Sequence, residues 1–268
     1  MPVSDSSCCR TIVKTPRVPT YHEFLERYLI PNRPVIIGPD LVKHWTAFEK
    51  WSRNLAEIPE AAATREIDWS YLAKAYGEQE VSVSDCSKVD SFGNLECEST
   101  TFSIIAEIWK QGAGQSLYVK DWHLAKAVEQ PSSGVDASLG PPFYSTPDLF
   151  KDDWMNAYYS SHTSDDFRFV YVGAAGTYTP LHRDVYCSYS WSTNVCGRKR
   201  WWLFPPAQTP LLFMRERNVC VHDVRDVNHA HFPDFAKTMP LVVEQEEGET
   251  IFVYVAVMPE FRVIHVLG

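Results

Sequence analysis

The sequence predicts a mainly β protein with helices towards its N-terminus, an α+β chain whose strands suit a double-stranded β-helix or jelly roll. Three observations predict it. Short apolar or alternating runs recur in the second half, at Phe167–Gly173, Trp201–Phe204 and Ile251–Val253, with Gly or Pro beside them. Two earlier stretches, 20–29 and 101–111, hold apolar residues at helical spacing. The Pro- and Gly-rich stretch 129–149 reads as a loop, because the strands after it need partners from before it.

In chain order, residues 1–19 read as a flexible tail whose vicinal Cys8-Cys9 is a free thiol pair, and 20–268 as one domain. Thr20 and Glu23 have capping-box spacing, and Tyr21, Phe24, Leu25, Tyr28 and Leu29 form one apolar face that Pro31 and Pro34 end. Val35-Ile36-Ile37 is a short buried strand before Gly38-Pro39. Asp68 to Tyr76 is a helix stopped at Gly77, and Val81-Ser82-Val83 alternates as a strand. The segment 85–100 is polar and turn-rich, and Phe102, Ile105, Ile108 and Trp109 mark the second amphipathic helix. Leu117-Tyr118-Val119 is the next strand. Residues 207–247 read as a polar insertion with His222, His229 and His231 on surface loops, and Gly248 to Val253 returns to a strand.

A core of this size is within reach of 268 residues that are 45% hydrophobic and 13% aromatic. The net charge of −9, with no basic cluster beyond Arg198-Lys199-Arg200, argues against nucleic-acid binding. Seven cysteines scattered without C-x-x-C spacing suit reduced thiols better than a disulfide framework or a zinc site. No signal peptide and no membrane-spanning apolar run appear, so the expectation is a cytoplasmic or nuclear protein with no membrane partner.

The chemistry concentrates in Thr177 to Pro206. His182 and Asp184, separated by one residue, project to one side of an extended strand and can grip one metal ion. With a second imidazole they would form the facial triad that holds iron(II) and leaves coordination positions open. Downstream, Gly197-Arg198-Lys199-Arg200-Trp201-Trp202-Leu203-Phe204 runs from a cationic start into an apolar strand closed by Pro205-Pro206. Trp191, Trp201 and Trp202 read as core aromatics.

Thr179-Pro180-Leu181-His182-x-Asp184, Gly197-x-Lys199-Arg200-Trp201 and Leu203-Phe204-Pro205-Pro206 together resemble the jumonji C (JmjC) group of iron(II)- and 2-oxoglutarate-dependent oxygenases. Ser190 to Lys199 and Leu117 to Leu124 strengthen the resemblance. It implies a cupin-like JmjC barrel in which His182 and Asp184 bind iron and Lys199 meets the distal carboxylate of 2-oxoglutarate, a charge-assisted pairing. It further implies that Thr179 and Tyr118 assist that carboxylate, although both also suit ordinary strand positions. Ser192 stands where some members carry an asparagine that contacts the cosubstrate. By resemblance the activity is protein hydroxylation with iron(II), O2 and 2-oxoglutarate, on a lysine of a translation termination (release) factor. Histone demethylation is the weaker reading.

After the strand ending at Val253, that family has a Pro-x-Gly-Trp turn and a metal-binding His. Here Pro259 takes the ligand's place, and His265 lies about six residues further, roughly 20 Å of extended chain. His265 is thus a weak candidate for the third ligand. Residues 254–268 read as an atypical tail, truncated or alternatively spliced, that leaves the barrel incomplete and a sheet edge open. Two competitors follow: a catalytically impaired binding module, and a metal-dependent cupin of another class, the latter disfavoured by Lys199 with Thr179.

Overall fold

A computed structural model describes residues 12–54, 65–90, 94–129, 142–184, 186, 188–215 and 219–253, and the backbone of 263–267. The tail containing Cys8-Cys9, Pro259 and most of the 129–149 loop lie outside the described residues. The protein is mainly β, a jelly roll with helices concentrated in its first half.

Strand β1 (Val13–Thr15) leads to α1 (Tyr21–Phe24), which continues as a π-helical turn over Leu25–Leu29. Both halves of the predicted capping box form: the Thr20 hydroxyl accepts from the Glu23 amide, and the Glu23 carboxylate accepts from the Thr20 amide. The helix buries Phe24 and Tyr28 in a cluster with Trp45, Phe150 and Phe252. Next come β2 (Val35–Ile37), α2 (Thr46–Lys50), β3 (Ser52–Asn54), β4 (Arg65–Ile67) and α3 (Trp69–Tyr76), the last capped by Asp68. The predicted second helix is α4 (Phe102–Lys110), and α5 (Leu124–Glu129) follows β7 (Leu117–Trp122). α3 and α4 pack together through Trp69 and Trp109, whose rings lie 4.8 Å apart.

Four sheets form among the described residues. Three of them shape the barrel and its opening. One has the order β1-β2-β12-β9, with β9 at Ser190–Thr193 and β12 at Thr250–Val253. A second, β11-β10-β13, comprises Leu241–Gln245, Lys199–Leu203 and Val263–Leu267. A third, β6-β5-β7-β8, joins Leu95–Thr101, Glu80–Val89, β7 and Val170–Gly173. The first two face each other across a cluster of Ile36, Trp201, Leu203, Ile251 and Val253.

The structure corrects several sequence expectations. Residues 85–100 are mostly the long β5–β6 hairpin, hidden from the sequence because the side chains of Glu96–Ser99 are all exposed and no apolar alternation survives. The 207–247 segment contains β11, and α6 (Trp154–His162) was unforeseen because it buries no residue and so has no apolar stripe. Of Phe167–Gly173 only Val170–Gly173 is strand. The edge of β10 is not open: the backbone of β13 pairs along all of it, Lys199 opposite Leu267 and Leu203 opposite Val263. His265 falls opposite Trp201 in that register. No helix among the described residues is long and apolar enough to cross a membrane.

Gln245 joins the two facing sheets. Its fully buried side chain accepts from Trp201 Nε1 at 2.8 Å and donates to the backbone oxygens of Ser192 at 2.8 Å and Glu249 at 2.7 Å. Replacing one side of such a network strands its buried partners, at about 1–3 kcal/mol for each. Gln245→Leu is therefore expected to cost about 3 kcal/mol, a melting temperature lower by roughly 6–12 °C in a chain of this size. A thermal melt followed by tryptophan fluorescence checks it.

Candidate active site

The three sheets open onto one large cleft of about 1590 Å³, and every site residue named from the sequence within the described side chains lines it or its wall. His182 and Asp184 do not lie on a regular strand, contrary to expectation. They occupy an irregular segment between β8 and β9. Their donors still converge, with His182 Nε2 3.6 Å from Asp184 Oδ1. Two donors at about 2.1 Å from one first-row metal, held side by side, would be about 3 Å apart, so only a small adjustment separates this pair from a chelating one. His182 Nδ1 donates to the Pro180 carbonyl at 2.8 Å, which fixes the tautomer and turns the Nε2 lone pair towards the cleft.

Lys199 begins β10, where its backbone pairs with Gln245. Its side chain is buried, not the solvated strand end its position would permit, and among the described residues Nζ reaches Ser192 Oγ, at 3.4 Å. Among the described residues no carboxylate neutralises it. Burial pushes its ammonium down to about 8 from the ordinary 10.5. A buried cation without a counter-charge, aimed into a cleft, is a receptor for an anion. Thr179 and Tyr118 stand together beside the cleft: the Thr179 hydroxyl donates to the Tyr118 phenol oxygen at 3.4 Å, and burial holds the phenol well above its usual range. Both are buried, Tyr118 on β7 and Thr179 in the lining of the cleft. Ser192, on β9, supplies the Lys199 contact.

A dicarboxylate such as 2-oxoglutarate suits Lys199, Ser192, Thr179 and Tyr118, and a divalent metal suits His182 and Asp184. Among the described residues no third donor joins those two, and the side chain of His265 lies outside them. The described residues that do bring three donors together, within 4.8 Å, are His123, Asp165 and Asp166. There the buried Asp166 is occupied: one oxygen lies 2.5 Å from His123 Nδ1 and the other accepts from Arg168 Nε at 2.7 Å, with Arg168 also bound to Glu129. That group is a network tying α5 to the segment before β8.

Of the expected surface histidines, His229 and His231 are exposed, but His222 is half-buried in the cleft wall, where burial lowers its basicity. Trp201 is fully buried as predicted; Trp191 stacks on Phe150 with ring centroids 5.1 Å apart and shows one edge to the cleft. Sequence reasoning missed the aromatic mouth formed by Phe167, Phe169, Tyr171, Tyr186 and Tyr189, and the Asp121 carboxylate beside it. The alternation in Phe167–Tyr171 was the signal available.

Comparison with known proteins agrees with this geometry. The family model for a cupin-like domain matches residues 21–253. Arginine-specific demethylase JMJ20 of Arabidopsis thaliana is 38% identical over 253 residues, covering 87% of this chain and 50% of that protein. 2-Oxoglutarate and iron-dependent oxygenase JMJD4 is 33% identical in Gallus gallus, over 87% of this chain and 53% of that protein, and 32% identical in Homo sapiens, over 90% and 55%. The chain spans about half the length of the curated relatives it matches. The cupin-like match across the barrel, joined to the His182–Asp184 pair and the buried Lys199, places this chain in the cupin-like family, within its JmjC group of oxygenases.

Proposed function

We propose that the chain is the core of an iron(II)- and 2-oxoglutarate-dependent dioxygenase that hydroxylates a protein side chain, a lysine of a translation termination factor being the specific substrate inferred from the resemblance. The observation that carries it is Lys199, buried, with no neutralising carboxylate among the described residues and 3.4 Å from Ser192, at the cleft that also holds the His182–Asp184 pair. The JMJD4 name prints 2-oxoglutarate and iron, which supports the cosubstrate and metal, and the JMJ20 name prints arginine, another cationic side chain.

In this reading His182 and Asp184 hold the metal, which when bound supplies the oxidising chemistry with O2 and cosubstrate. Lys199 and Ser192 hold the distal carboxylate, so the cosubstrate is oriented before any reaction. The Pro180 carbonyl keeps the proton on His182 Nδ1 and Nε2 available as a ligand. The cleft's aromatic walls exclude water from the buried end. Cys86, Cys97 and Cys196 form no disulfide, in keeping with a cytoplasmic or nuclear setting. A binding module without turnover is the second reading, favoured by the count of two metal donors among the described residues.

Anaerobic iron(II) titration with 2-oxoglutarate present tests the proposal. Binding is expected to fall at least about tenfold in His182→Ala and in Asp184→Ala, as loss of a direct ligand should exceed the loss of its supporting shell. Loss in His265→Ala as well would make that residue the third ligand; equal, weak binding in all four proteins, with no succinate released, favours the binding module. Lys199→Met should abolish 2-oxoglutarate binding and yet raise stability at pH 7 by about 2 kcal/mol, because it removes an uncompensated buried charge. Calorimetry and a thermal melt read the two effects separately.

The pH dependence follows from the same lysine. Its value in the folded protein, about 8, lies below the ordinary 10.5, so between those limits the unfolded chain binds more protons and wild-type stability rises with pH. Affinity for the dicarboxylate, which needs the ammonium, should fall as pH rises above about 8. Lys199→Met should remove the rise in stability, as measured by melting from pH 7 to 10.

A further inference from the structure

The third sheet has an irregularity that the proposed chemistry does not use. β7 pairs with β8 in the register Tyr118↔Gly173 and Val119↔Val172, then resumes at Trp122↔Val170. Two residues, Lys120 and Asp121, therefore stand against one, Tyr171. This two-against-one bulge is the kind of device that redirects a side chain at the rim of a barrel or beside an active site. Asp121 takes a left-handed backbone with φ 52°, which a non-glycine residue adopts at some cost, although Asp and Asn do so most readily.

The bulge separates two opposite charges. Lys120 faces the side of Cys86 and His222, whose ionisation its charge opposes or favours accordingly. Asp121 lies on the side of Tyr118 and Tyr171, and the Tyr171 hydroxyl donates to its Oδ1 at 2.8 Å. Among the described residues Asp121 pairs with no cation. The Tyr171 ring links it to the centre of the site: it lies 6.1 Å from the ring of Tyr118, which the Thr179 hydroxyl meets, and its phenol also feels the charge of Asp184. Phe169 stands 6.3 Å from Tyr171 on the other side, and Tyr186 is 70% exposed at the mouth. An uncompensated carboxylate, held by a tyrosine and flanked by aromatic faces, is a receptor for an ammonium or guanidinium, which gains both a charge-assisted hydrogen bond and cation–π contacts.

We propose that Asp121, aimed by the β7 bulge and oriented by the Tyr171 hydroxyl, anchors the cationic end of the substrate side chain and so selects a basic residue over a neutral one of the same length. The assignment rests on the oxygenase reading for the identity of the site. Asp121 takes no part in holding metal or 2-oxoglutarate, so the two can fail separately.

The test uses the full chain with 2-oxoglutarate present, and three small probes: n-pentylammonium, n-butylguanidinium and the neutral 1-pentanol, titrated by saturation-transfer NMR. At least one cation is expected to bind, and the alcohol to bind at least about tenfold more weakly. Asp121→Asn, which keeps the left-handed backbone accessible, should weaken the cation about tenfold or more while leaving 2-oxoglutarate affinity unchanged. Tyr171→Phe, which leaves the carboxylate but frees its orientation, should weaken it by a smaller factor. Equal binding of cation and alcohol, or a cation affinity unchanged in both variants, overturns the proposal. Failure of 2-oxoglutarate to bind the wild-type chain would instead overturn the oxygenase reading.

Discussion

The Gln245 side chain is the point on which both facing sheets converge. Its backbone lies opposite Lys199, and its amide gathers the indole of Trp201 from the same sheet and the carbonyls of Ser192 and Glu249 from the other. A buried amide with its bonds made is worth more in geometry than in energy, because slipping either sheet by one residue would leave donors and acceptors unpaired in an apolar interior. Lys199 and Ser192 owe their alignment to this: one is Gln245's cross-strand partner, and the other's carbonyl accepts a hydrogen bond from the same amide.

The site divides by the stiffness of what supports it. Lys199 and Ser192 stand on paired strands, where alternation and the Gln245 junction fix them in advance. His182 and Asp184 stand on irregular backbone after β8, where the His182 ring bonds the Pro180 carbonyl and the Leu181 amide bonds the His222 carbonyl. Such an arrangement suits ordered assembly, in which a rigid half receives the charged small molecule and a more adaptable half adjusts its donors. The aromatic mouth adds a third tier, variable in exposure from Phe167, half-buried, to Tyr186, mostly exposed.

Much of this was legible in the sequence where local chemistry and tertiary demand agree. The Thr20–Glu23 box, the helix after Asp68 and the buried strand before Pro205-Pro206 each announce themselves, because the residues that cap or bury an element are also those that begin or end it. His182, Asp184 and Lys199 were legible through family resemblance, which supplies roles that periodicity alone does not. What escaped had no local signature. Beyond Val81-Ser82-Val83 the β5–β6 hairpin projects with its outer side chains in water, so its far part carries no apolar code; α6 is as exposed; and the β7 bulge depends on register against β8, some fifty residues away in sequence. The role of Asp121 was unreadable for the same reason: Leu117 to Trp122 looks like an even alternation until its partner is known.

The buried Lys199, which no carboxylate among the described residues neutralises, has a consequence for the chain's survival in a cell. An interior charge without a partner lowers the stability of the empty barrel, and any ligand that supplies the missing carboxylate restores it, by RT ln(1 + [L]/Kd), about 2.7 kcal/mol at a hundredfold excess over Kd. The fraction of molecules open to proteases would then follow the concentration of a circulating dicarboxylate. A metabolite pool would set the protein's abundance as well as its saturation, so that scarcity of the small molecule thins the population of barrels waiting for it.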